Sequence, residues 1–445
     1  MKKLMVLLLT VVIVLGLVGC AAKTDPPTAN DPTFDAPGNV TTSGEPVKIE
    51  LWYQGSNDTS AFYQIAKKAL DEYMLENSNF YADIVPGGEA DVYLQKVLMS
   101  AATGSLPETF AATPFNLAGI PETGVLYNIT DIIDSDPEWS SRFSDQAWEL
   151  QFKFTGGEKY GVPMYSELQG WFLNKRLFDE LGLEIPVAYE DWLHCIDKFY
   201  EAGITPIAYG AADTWSRWGF DIWFQRYGFT ENLDQILSGE LKFSDFALPI
   251  YEKIDEMSKH HAFPENVSTA SHTEAMALFK EGKAAMITVG SWALDELLES
   301  EDAENFVFSW GPEFSDSQYD QKVGTKAISW TCWVGNKAAD SEEKLAAVTA
   351  YLKKMSDPDV ANYLAEEKHI IPACQFEVDT ESLPGLMVSI LEKKDDNYAS
   401  GGEIAGSIDA SFETVYWNTV SAVITQTATP EEAVQMLDDA MSALS

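Results

Sequence analysis

The chain has 445 residues, with 29 basic against 70 acidic side chains and a net charge of −41. That length exceeds one compact core, so two lobes are expected. The charge repels phosphate backbones and anionic headgroups, which excludes nucleic acid as a partner and disfavours a large anionic ligand; the acidity itself serves solubility.

Met1-Lys2-Lys3 and the apolar run from Leu4 to Val18 read as an export signal, a charged start followed by a stretch short for a membrane span. The run closes in Leu17-Val18-Gly19-Cys20, which resembles the bacterial lipobox, whose Cys is acylated and becomes the new N-terminus. Residues 1–19 are therefore expected to be a signal peptide and Cys20 the lipidated residue. Two acyl chains, at about 0.8 kcal/mol per buried CH₂, suffice for a stable anchor. From 20 to 46 the chain is rich in Pro, Thr, Asp, Asn and Gly with almost no large apolar side chains, the composition of a disordered tether.

The folded part opens with Val47 to Trp52, which alternates as a strand does. Phe62, Ile65, Ala66, Ala69, Leu70 and Tyr73 then recur at helical spacing. Tyr81–Val85 reads as a second strand, Tyr93, Val97 and Leu98 mark a second helix, and Thr109–Ala112 reads as a third strand. Strands alternating with helices indicate an α/β fold with a mostly parallel sheet, in which ligands bind beyond the carboxyl ends of the strands. Asn57, Asp58 and Asn116 fall in those end loops. Pro206-Ile207-Ala208-Tyr209 is strand-like and leads into a polar loop holding Asp213, Trp215, Arg217 and Trp218. A helix after Pro186 has Glu190 and Asp191 in its first turn, where the dipole favours anions. Further on, a helix ends at Gly282, a strand runs from Lys283 to Val289, and Gly290 lets the backbone come close so that Trp292 stands at the strand's carboxyl end. Thr429-Pro430-Glu431-Glu432 is a capping box that starts the last helix.

Cys20 apart, Cys195, Cys332 and Cys374 are an odd set without C-x-x-C spacing, so buried free thiols are expected rather than a disulfide framework. The histidines, His260-His261 included, lack a carboxylate or Cys constellation at ligand spacing, so neither a metal nor a cofactor is expected.

Three stretches carry a resemblance. Tyr160-Gly161-Val162-Pro163, then Trp171 to Lys175 and Leu177 to Gly182 with Pro186, form the first. Phe279-Lys280-Glu281-Gly282-Lys283-Ala284-Ala285-Met286 with Gly290-Ser291-Trp292 forms the second, and Ile371-Pro372-Ala373 the third. Together they resemble the extracellular solute-binding proteins that include maltose-binding protein and many lipid-anchored sugar-binding lipoproteins. Two departures stand out: Glu108 replaces the family's usual Asp, and Ala188-Tyr189 replaces Thr-Trp, which removes a capping hydroxyl.

The resemblance implies a two-lobe periplasmic-binding-protein-like fold of type II, each lobe a mixed, mostly parallel sheet flanked by helices, with the ligand cleft between lobes. Residues 47–162 and 313–370 would form the first lobe, and 163–312 and 371–445 the second. It implies capture of a mono- or oligosaccharide by hinge closure, delivery to the permease of an ABC transporter, no enzymatic activity, and a monomer held by lipid on the extracellular face of the membrane. Aromatic rings cover the flat C–H patch of a sugar, while carboxylates and amides take its hydroxyls. The candidates are Trp292; Glu167 in the first crossover, by spacing from Asn174-Lys175; Trp215, Trp218 and Asp213; Asn57, Asp58 and Asn116; Trp330, beside Cys332; and Trp417, near a late aromatic position of the sugar binders. Trp139, Trp148, Trp192, Trp223 and Trp310 are assigned to packing. Two alternatives share these residues: a receptor for a cationic solute such as a polyamine, marked by unpaired carboxylates lining a narrow slot, and a secreted glycoside hydrolase using two carboxylates.

Overall fold

The computed structural model describes residues 46–444, apart from 59, 89, 153, 214, 396–398, 402–403 and 405–406. The signal segment, Cys20 and the tether lie outside the described residues.

Strand β1 (Val47–Tyr53) buries Ile49, Leu51 and Tyr53 by simple alternation. The helix Ala61–Glu76 begins where the Ser60 hydroxyl accepts the Tyr63 N–H at 3.2 Å, and it turns Phe62, Ile65, Ala66, Ala69 and Leu70 inward. Strands β2 (Phe80–Pro86) and β3 (Thr109–Ala112) flank β1 and run parallel to it. These elements lie where the alternation and the helical spacing put them.

Two long strands then join this region to the rest. β4 (Gly161–Asn174) and β5 (Thr205–Ala208) are followed by β6 (Ala284–Gly290), β7 (Phe306–Ser309), β8 (Val323–Val334) and β9 (Ala399–Gly401). β4 and β8 pair antiparallel from Gly161↔Trp333 to Gln169↔Thr325. At one end β8 meets β3, and at the other β4 meets β6 and β7, so the strand order reads β2-β1-β3-β8-β4-β6-β5. β1, β2 and β3 meet the expectation of parallel pairing. Around β4 the β6, β7 and β8 pairings are antiparallel, because β4 and β8 cross in opposite directions and impose their sense on their neighbours.

Two large cores sit on either side of the crossing. One gathers Ile49, Leu51, Ile65, Tyr351, Leu352 and Val360; the other gathers Trp171, Phe172, Trp192, Phe220, Met286 and Tyr416. Between them the β4/β8 register slips twice, from Pro163 to Tyr165 and from Tyr165 to Ser166. A third segment crosses at the same level: Ser166 donates its N–H to the Ile371 carbonyl at 2.9 Å, and Ala373 donates to Met164 at 3.0 Å. Bulges weaken the ladder and bend it, so this is where the structure places its most deformable pairing.

Cys195, Cys332 and Cys374 are buried free thiols. Trp139, Trp148, Trp192, Trp223 and Trp310 are buried, as assigned. Among the described residues no helix is long and apolar enough to cross a membrane.

Candidate functional site

The site is built outward from the end of β6. The preceding helix, His272–Lys280, stops before Gly282, whose φ of +66° is the left-handed turn glycine favours. β6 follows and ends at Gly290, and the Ser291–Ala293 turn presents Trp292, which is 37% exposed. The Ser291 hydroxyl accepts the Leu168 N–H at 3.2 Å, which pins this turn to β4 beside Glu167.

Trp292 does not stand alone. Its ring meets Trp218 edge-on at 5.2 Å, and Trp218 in turn meets Trp215 at 6.0 Å. Trp218 is buried and opens the helix Trp218–Arg226, whereas Trp215 is 49% exposed. The result is a row of indoles that starts at the crossing strands and runs outward. Edge-to-face contacts of this kind hold ring planes at fixed angles. Behind the row, the Arg217 guanidinium lies 3.9 Å from the Trp218 ring and 3.8 Å from that of Trp417, on the helix Ala410–Ile424. The indole N–H groups of Trp218 and Trp417 are buried and have no hydrogen-bond partner among the described residues.

Asp213 has a local task. Its carboxylate accepts the Trp215 N–H at 3.0 Å and the His272 N–H at 2.9 Å, tying the Trp215 loop to the start of the His272–Lys280 helix. Ser216 accepts the Gly210 N–H at 3.2 Å and lies 3.0 Å from His272 Nδ1.

Glu167 is buried in β4, and its carboxylate accepts the Gln169 amide N–H at 3.1 Å. Burial pushes its carboxyl above the usual carboxylate range, opposed by hydrogen bonds from Ser329 and Gln169. Ser329 sits where the β4/β8 register slips, so Glu167 joins the two crossing strands side chain to side chain.

The remaining candidates belong to the other core's side. Trp330 packs on Phe62 at 5.8 Å and takes no part in the indole row. Asn57 and Asp58 are exposed after β1, and the Asn57 carbonyl accepts the Tyr53 hydroxyl at 2.7 Å. Asn116 is half-buried after β3 and donates to the Thr113 hydroxyl at 2.6 Å. The structure thus gathers Trp292, Trp218, Trp215 and Trp417 into one cluster and puts Glu167 next to its origin, whereas Trp330 packs on Phe62, and Asn57, Asp58 and Asn116 sit in the loops after β1 and β3. Sequence reasoning passed over Gln169 and Ser329. The two-residue spacing of Glu167 and Gln169 within one strand was the available signal for the first; nothing local marks Ser329.

Two cores joined by three crossing segments, with an aromatic row beside the crossing, define a two-lobe α/β binding-protein fold. Residues 45–362 match the bacterial extracellular solute-binding protein family, and the chain belongs to it. Among solved structures, a chitin oligosaccharide binding protein shares 19% identity at a TM-score of 0.76, covering 90% of this chain and 99% of its own. RafE from Streptococcus pneumoniae in its apo form shares 17% identity at a TM-score of 0.71, covering 91% of this chain and 100% of its own. At such identities the likeness is one of fold. A probable sugar-binding periplasmic protein of Rhizobium meliloti (strain 1021) is 24% identical over 268 residues, 58% of this chain. A multiple sugar-binding protein of Streptococcus mutans serotype c is 21% identical over 254 residues, 53% of this chain. The matches span 61% and 56% of the length of these two curated relatives.

Proposed function

We propose that this chain captures a carbohydrate between its two lobes and delivers it to the permease of an ABC importer. The observation that carries the reading is the indole row from Trp292 through Trp218 to Trp215, half-open to solvent and rooted at the crossing strands. Broad indole faces suit the C–H faces of pyranose rings, and a few polar groups beside them suit hydroxyls. Sugar binding is also what the names of the Rhizobium meliloti and Streptococcus mutans relatives state.

In this reading Trp292 and Trp215 stack on the ligand, Trp218 and Trp417 support them, and Glu167 takes a hydroxyl at the hinge. Asp213 positions Trp215. Asn57, Asp58, Asn116 and Trp330 belong to the lobe of residues 47–162 and 313–370, and meet the ligand as that lobe closes on 163–312 and 371–445. Closure follows if the closed state gains contacts that the open state lacks. The chain acts by binding rather than catalysis, as its family of binding proteins supports. It works as a monomer outside the cell, held to the membrane through Cys20.

The test is tryptophan fluorescence on the full chain, titrated with chitobiose, xylobiose, raffinose, galactose and spermidine. A saturable change with a sugar, lost in a folded Trp292→Ala variant, is the expected result. A response to spermidine alone would replace carbohydrate capture with capture of a cation.

A further inference from the structure

Arg217 is 3% exposed, and its charged plane faces aromatic rings. Its guanidinium lies between two indoles, 3.9 Å from the Trp218 ring centre and 3.8 Å from that of Trp417. These indoles start from different helices, Trp218–Arg226 and Ala410–Ile424. Each of these helices also carries a buried carboxylate, one turn from Arg217 on the first and one turn from Trp417 on the second. Asp221, fully buried, follows Arg217 by one turn and accepts a hydrogen bond from the Tyr416 hydroxyl; Tyr416 immediately precedes Trp417. Glu413, also buried, precedes Trp417 by one turn. A desolvated guanidinium flanked by two ring faces interacts more strongly than an exposed one, and only a planar cation can lie flat against both.

We propose that Arg217 is a positioning residue for the aromatic face: its guanidinium, clamped between Trp218 and Trp417, sets the angle at which Trp218 and its edge-on partner Trp292 meet a ligand. For its effect on binding this rests on carbohydrate capture at the same site; for its effect on ring geometry it rests on the sandwich alone. Arg226, on the same helix and equally buried, offers the contrast. It donates to the carbonyl oxygens of Gly311, at 3.0 Å, and Pro312, which is a packing role.

The experiment compares Arg217→Lys, Arg217→Gln and Arg226→Lys in the full chain. The readouts are the circular-dichroism signal of coupled indoles, the melting temperature, and affinity for whichever of chitobiose, xylobiose, raffinose and galactose the wild type binds best. Arg217→Lys keeps the charge and removes the plane. It is expected to erase the coupled-indole signal and weaken that sugar by about tenfold, with Tm within about 5 °C of wild type. Arg226→Lys is expected to lower Tm and leave the indole signal and the affinity intact. Arg217→Gln, a planar but neutral group, separates plane from charge should the Lys variant be poorly folded, and is expected to lose affinity likewise. Wild-type indole signal and affinity in a folded Arg217 variant would overturn the assignment. If the wild type binds none of the sugars, carbohydrate capture fails, while the indole signal still decides the role of Arg217.

Discussion

At Gly290 an added Cβ would come within 1.9 Å of the Trp292 ring, so the indole can fold back over the end of β6 only if that position carries no side chain. Gly290→Ala is therefore expected to displace Trp292 and weaken sugar binding by about tenfold, approaching the loss in Trp292→Ala. Calorimetric titration of the two variants checks this; near-wild-type affinity in a folded Gly290→Ala protein would count against Trp292 as a contact residue. Asp221 makes a prediction about pH. Burial, the largest influence, pushes its carboxyl from 3.8 up to about 6, against the opposing pull of Arg217 and the Tyr416 hydrogen bond. An acid with a raised folded-state pKa binds its proton more tightly when folded than when unfolded. Its contribution to stability is present below the unfolded value and is lost as pH rises from about 4 to 6, at most about 3 kcal/mol. Asp221→Asn should flatten the change in Tm between acidic and neutral buffer. An unchanged pH profile in that variant would show that Asp221 does not titrate in this window. At this scale Trp215 and Trp218 were legible, because a pair of large rings in a polar loop is unusual. The sandwich around Arg217 was not, because Trp417 lies 200 positions away.

Helix ends were the most readable elements. The Thr429 hydroxyl accepts the Glu432 N–H at 3.2 Å, and the Glu432 carboxylate accepts the Thr429 N–H at 2.9 Å, as the capping-box pattern implies. Thr429→Ala is expected to cost about 1 kcal/mol in thermal or urea unfolding. The helix Tyr189–Glu201 is the converse. Its cap, Ala188, has the extended backbone a capping residue needs, with φ −74° and ψ 150°, but no side chain to take the first free N–H groups. Ala188→Ser should supply that acceptor and raise stability by about 0.5–1 kcal/mol, visible as a higher urea midpoint at unchanged slope. β4 was harder to see. The strand is buried on both faces over nearly its whole length and shows no alternation. The reach of β8 was hidden for the same reason, since all but three of its residues are buried.

On the scale of the molecule, the bulged ladder of β4 and β8, with residues 371–373 beside it, carries backbone hydrogen bonding between the two cores, so relative motion of the lobes should concentrate there. A sugar that engages both lobes is expected to lower the radius of gyration in small-angle scattering. At a hundredfold excess over Kd it should stabilise the fold by about 2.7 kcal/mol. Binding and stabilisation with no change in radius would place the whole ligand on the lobe that carries the indole row.

The sequence by itself determined the α/β class, the order of the first strands and helices, the turn at Gly282 that precedes Trp292, and the motifs that mark the family. These are written in periodicities of two or 3.6 residues, in caps and in glycines, all of which act over a few positions. Only the tertiary structure decided that Trp215, Trp218, Trp292 and, through Arg217, Trp417 form one cluster, that Asp213 spends its carboxylate on backbone N–H groups, and that Glu167 meets Ser329 across two antiparallel strands. Those contacts join residues far apart in the chain, and their partners are chosen by how the crossing strands align, which no local pattern encodes.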